Sequence, residues 1–145
     1  MGRTEVTRTI QAPIEKVFET VAHIGNFRQV VPDIVNVEFL TDQEIGAGTK
    51  FRETRVMGKR EASTVLEVTE YVPNERVRLV ADQGGTIWDS TFTTRSAGEG
   101  RVELKMTMDA NAYKFAAKLI NPMIKGFVQK AIEKDMDAVK AHCEG

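Results

Sequence analysis

Between Phe115 and Met136 apolar side chains recur in two adjacent i,i+4 rows. Phe115, Leu119, Met123, Phe127 and Ala131 make one row, and Ile120, Ile124, Val128, Ile132 and Met136 make the other. Two neighbouring rows form an apolar face wider than a coiled-coil seam, so the spacing predicts one long helix laid against a broad surface. Lys114, Lys118, Lys125, Gln129, Glu133 and Lys140 fall mostly on the opposite side. Pro122 comes early in the pattern, where it predicts a kink or a detached first turn.

The surface for that helix has to come from what precedes it, and most of that reads as strand. Val6 and Ile10 alternate with Glu5, Thr7 and Thr9, a first strand with one buried face. Pro13 then opens a helix carrying Ile14, Val17, Phe18, Val21 and Ile24, with Gly25 as its stop. Asn26 can cap a second short helix with Phe27, Val30 and Val31, closed by Pro32. Six further strands follow, over 34–39, 50–56, about 61–71, 76–81, 87–95 and 102–108. The turns between them are marked by Gly46-Ala47-Gly48, Met57-Gly58, Pro73-Asn74, Gly84-Gly85 and Gly98-Glu99-Gly100. Short turns predict antiparallel neighbours. The expected fold is therefore α+β: one domain over residues 1–145, with a curved sheet of about seven strands around a long C-terminal helix. Two short helices separate strands one and two.

The chain's 145 residues are enough to bury a sizeable core without staples. Twenty Lys and Arg against 21 Asp and Glu leave a net charge of −1, with no positive excess to displace counterions from nucleic-acid phosphates. The one cysteine, Cys143, excludes an internal disulfide. No apolar run approaches the ~20 residues of a membrane span, and the opening residues lack the apolar stretch of a secretory signal. The expectation is a cytoplasmic protein without stable membrane insertion.

Four stretches carry a family resemblance. Thr9-Ile10-Gln11-Ala12-Pro13-Ile14-Glu15-Lys16-Val17-Phe18 resembles the opening of the polyketide cyclase/dehydrase-like branch of the START and plant-allergen (SRPBCC) superfamily. Gly46 to Glu53 and Glu70 to Arg76 resemble later landmarks of the same group, as does the segment from Asn26-Phe27 to Pro32. The resemblance runs from about Val6 to Val139. It implies the helix-grip fold and a cavity between sheet and long helix. Members of the superfamily bind lipids, quinones, hormones or polyketides, and only some are enzymes, so no chemistry is implied.

Spacing alone reads the inward faces as an ordinary filled core; the resemblance implies a ligand cavity there. Trp88, Ser90 and Phe92 share one strand face, and Leu104, Met106 and Met108 share another. Leu66 belongs to the inward set of the long strand. Leu119, Met123, Phe127 and Ala131 would close the space from the helix. Glu53 and Arg55 share the parity of Phe51 and face inward if it does. There they could orient the polar end of a ligand or pair with each other. If the strand twists at its end, they meet water instead. Asp135, one turn beyond Ala131, reads as a surface acid at the edge of the apolar face. Asp89 and Glu67 read as solvated.

His23, late in a helix, is expected to interact with that helix's terminal carbonyls. His142 and Cys143 lie where fraying is expected. No metal pattern and no cofactor motif is present: Gly46-Ala47-Gly48 is followed by a strand and is a turn, and no nucleophile elbow occurs. Three readings follow. The first is a binding or transport domain for a small hydrophobic ligand such as a lipid, isoprenoid quinone or aromatic polyketide. The second is a cyclase or dehydratase using Glu53 as acid or base. The third is a chaperone acting through a protein partner at an exposed Phe27, Val30 and Val31.

Overall fold

A computed structural model describes residues 2–145. Strand β1 (Gly2–Ile10) leads into helices α1 (Ile14–Ala22) and α2 (Ile24–Val30). Then come β2 (Ile34–Phe39), β3 (Lys50–Met57), β4 (Arg60–Val72), β5 (Arg76–Gln83), β6 (Thr86–Ser96) and β7 (Val102–Ala112). The chain ends in α3 (Phe115–Glu144). All seven strands form one antiparallel sheet in the order β1-β7-β6-β5-β4-β3-β2. β1 begins earlier than its Val6–Ile10 pattern suggests, because pairing with β7 continues back to Gly2 opposite Ala110.

Register explains how strands far apart in sequence share one inner face. Phe51 lies opposite Leu66, Val68 opposite Leu79, Ala81 opposite Trp88 and Ser90 opposite Met108. Because side chains alternate along each strand, every one of these residues projects toward α3. The outer face is polar. There Arg78 makes two hydrogen bonds to Asp89, at 2.9 and 2.7 Å, and a third to Glu70 at 3.2 Å. Asp89 is thus ion-paired and partly shielded rather than simply solvated, and Arg78 holds its carboxyl below the usual range by hydrogen bonding.

The break between α1 and α2 falls at His23, two residues before the expected stop at Gly25, which lies inside α2. Asn26 does not cap α2. Its side chain donates to the Glu19 carbonyl at 3.1 Å and so closes the end of α1. His23 Nε2 pairs with the Tyr71 hydroxyl at 2.8 Å instead of binding terminal carbonyls. Phe27 and Val31, expected on an exposed partner patch, are 7% and 2% exposed. Phe27 packs edge-on against Phe92 with ring centroids 5.9 Å apart, so the amphipathic face of α2 is spent on the core.

α3 is held unequally along its length. In its C-terminal half Ile132, Met136, Val139 and Cys143 are buried at helical spacing. Arg8 bonds Asp137 at 2.7 Å, Lys140 donates to the Thr9 carbonyl at 2.8 Å, and Glu144 accepts the Gln11 N–H at 2.9 Å. The end of the helix is therefore docked, not frayed, and the Cys143 sulfur lies 3.6 Å from the Thr20 hydroxyl. The start is tied at few points. The Gly85 carbonyl accepts the N–H groups of Tyr113 and Lys114 at 2.9 and 3.2 Å. Gly85 has φ +85°, and a Cβ there would meet Lys114 Cβ at 2.7 Å, so only glycine allows this approach. Asn121 donates to Thr86 Oγ1 at 3.0 Å. α3 passes through Pro122 as one element; neither a split nor a separate first turn occurs.

Candidate functional site

Gripped at one end and propped at the other, α3 leaves a cavity of about 370 Å³ above the bent sheet. Such a volume falls in the range of small-molecule sites. Its floor holds Phe51, Leu66, Leu79, Trp88, Phe92 and Met106, and its roof is Phe127, Val128, Ala131 and Ile132. α1 and α2 close one side with Val21, Ala22, Ile24 and Phe27. A second cavity of about 340 Å³ lies under the first half of α3, bordered by Thr4, Ala110, Asn121, Pro122, Ile124 and Lys125. Trp88, Met108 and Val128 border both.

The polar groups concentrate on one stretch of wall. Glu53 and Arg55 do face inward, and Asp135 joins them from α3. Arg55 Nη1 donates to both Asp135 oxygens, at 3.1 and 2.9 Å, and Arg55 Nε stands 3.5 Å from Glu53. Asp135 is 14% exposed at its side chain, which corrects the expectation of a surface acid. Helical geometry put it one turn beyond Ala131; what the sequence could not supply was the arginine reaching across from β3. Burial pushes the Glu53 carboxyl up, against the pull of Arg55, and Asp135 adds to the rise. Asp135 is likewise raised by burial, with Arg55 opposing. Burial also works against the Arg55 charge, but the two acids outweigh it and strengthen its hold on its proton.

Of the residues singled out from sequence, the cavity wall brings together Phe51, Glu53, Arg55, Leu66, Trp88, Ser90, Phe92, Met106, Phe127 and Ala131. Leu104 lies on the same face of β7 but is fully enclosed in the core, outside the cavity lining. Leu119 and Met123 are 59% and 82% exposed and do not close the space. Their row with Phe115 turns to solvent because α3 presents Ala117, Asn121, Ile124 and Val128 to the sheet at that end. Met108 lines the cavity beside Met106, as their shared strand face implies, and so do Leu79 and Ala81, for which strand parity in β5 carries the signal. Ile24 and Phe27 had no such signal, since which side α2 covers is a tertiary outcome.

Among the described residues no group of three His, Cys, Asp or Glu is arranged to hold a metal ion. Nor is any helix there long and apolar enough to cross a membrane.

Sheet, long helix and the space between them define a helix-grip protein of the START and plant-allergen kind. Residues 1–144 match the family described as polyketide cyclase / dehydrase and lipid transport, and the chain belongs to it. No curated protein sequence matches the chain. Among solved structures, it is similar to the Zhui aromatase/cyclase of a Streptomyces species, with 16% identity, TM-score 0.81, and coverage of 99% of this chain and 93% of that one. It is also similar to a START superfamily protein from Mycobacterium smegmatis, with 15% identity, TM-score 0.80, and 98% and 97% coverage. A third likeness is to norcoclaurine synthase from Thalictrum flavum, at 14% identity, TM-score 0.73, and 97% and 84% coverage. At these identities the likeness is one of fold.

Proposed function

We propose that this chain binds and carries a small, largely apolar molecule in the cavity between sheet and α3. The observation that supports the reading is the combination of about 370 Å³ of space with a wall that is mostly apolar and polar at one site. Each ligand CH₂ taken from water into such a wall contributes about 0.8 kcal/mol before binding costs are subtracted. Trp88, Met106, Met108 and Phe127 suit an apolar guest of varied shape, and Glu53, Arg55 and Ser90 would orient its polar end. A lipid, an isoprenoid quinone or an aromatic polyketide fits this description. Protein purified from its native host should carry a stoichiometric small molecule, released by organic extraction and weighed by mass spectrometry. Repeated recovery of empty protein that also leaves added apolar dyes unbound would sink the reading.

A second reading, catalysis of a cyclase or dehydratase reaction, is favoured by one observation: Glu53 stands at the cavity with its carboxyl pushed up by burial. A carboxyl that holds its proton more tightly than usual can exchange it with an enolisable carbonyl. Glu53→Gln separates the two readings. A carrier keeps its ligand, whereas an enzyme loses turnover while still binding.

A further inference from the structure

The charge inside the cavity points one way. Among the described residues its ionisable lining is three carboxyls, Glu44, Glu53 and Asp135, against the one guanidinium of Arg55. Arg55 is already engaged: Asp135 takes Nη1 with both oxygens, and Glu53 stands against Nε. With both acids ionised the cluster carries a net negative charge, and with one of them protonated it is neutral. In neither state does it offer a positive charge to a guest. The neighbouring cations are placed elsewhere: Lys134 bonds Asp33 at 3.0 Å, and Lys125 borders the adjoining chamber only. Glu53, by contrast, stands a longer 3.5 Å from Arg55 and lines the cavity.

Resting on the apolar-ligand reading above, we propose that the guest's polar end is a hydrogen-bond donor, an alcohol, phenol or amine, and that the cavity rejects carboxylates and other anions. A donor can reach Glu53 at the cavity wall without displacing Asp135 from Arg55. An anion would have to displace Asp135 from the guanidinium or sit unpaired beside two acids, and either costs more in a low-dielectric wall than in water.

The test is calorimetric titration of the intact protein, near neutral pH, with 2-naphthalenemethanol, 2-(aminomethyl)naphthalene and 2-naphthoate, which share a ring system and differ in the polar end. The alcohol and amine should bind at least about tenfold more tightly than the carboxylate, the factor set by a single charge-dependent contact. In Asp135→Asn the guanidinium loses its closer partner, and naphthoate should regain about that factor relative to the alcohol. Naphthoate binding to the unmodified protein as tightly as its analogues, or none of the three binding, overturns the inference whether or not the variant folds. The apolar-ligand reading itself falls only if the neutral dye N-phenyl-1-naphthylamine is also left unbound.

Discussion

Arg55 shows how one side chain can set the chemistry of a wall otherwise made of hydrocarbon. Removing it would leave Glu53 and Asp135 facing each other in a buried site, a costlier state than removing either acid. The acids also give the protein a pH response with a definite sign. Both have folded-state proton affinities raised above their ordinary values of 4.5 and 3.8, with burial the leading cause. The folded protein therefore holds these protons more tightly than the unfolded chain. The stability they contribute is whole below those ordinary values and drains away as pH climbs through the raised ones. Glu53→Gln is uncharged at every pH. It should melt a few degrees above the parent at neutral pH, with the gap closing in acid. Melting curves recorded across that range check it, and a gap that widens in acid would contradict the assigned direction.

Leu104 makes the complementary case. It shares a strand face with Met106 yet is sealed in the core, outside the cavity. Leu104→Ala should cost about 2–5 kcal/mol in denaturant unfolding and leave affinity for an apolar dye nearly unchanged. Cys143 is enclosed too, against Thr20, and burial pushes its thiol up. Its reaction with a thiol reagent should be slow in the native protein and fast in denaturant.

At the scale of elements, α3 divides into a half that is docked and a half that bridges. The sequence made the helix, its length and its apolar rows plain. It could not say that the rows change roles midway, because an apolar face is legible from spacing while the direction it faces depends on where the sheet bends. Thus Phe127 and Ala131 reach the cavity whereas Leu119 and Met123, from the same row, reach solvent. Met123→Glu should therefore shift stability by less than about 0.5 kcal/mol, as exposed positions do. Pro122 withdraws one N–H from the helix ladder in the bridging half. Pro122→Ala should raise the melting temperature, since an interior proline costs a helix about 3 kcal/mol where nothing compensates. A fall would mean that Pro122 shapes the second chamber it borders.

Across the whole molecule, strand count, order of elements and antiparallel pairing could all be read from turn signals and alternation. Parity along β3 aligned Glu53 and Arg55 with Phe51, and that alignment holds in the sheet. The less legible features lie where distant elements meet. Asp135 needed Arg55 to bring it inward, and Phe27 needed Phe92 to hide it.

The pairing of β1 with β7 has a consequence for biosynthesis. Gly2 faces Ala110 and Ile10 faces Val102, so β1 is synthesised well before the strand it pairs with and joins the sheet almost last. Closing so long a loop is slow compared with forming the hairpins between β3 and β7, and α3 can seat only after β1 is in place to receive Arg8–Asp137 and Lys140. A nascent chain that stalls before residue 102 would present β1 as a lone amphipathic ribbon beside an uncovered sheet, the kind of surface chaperones hold.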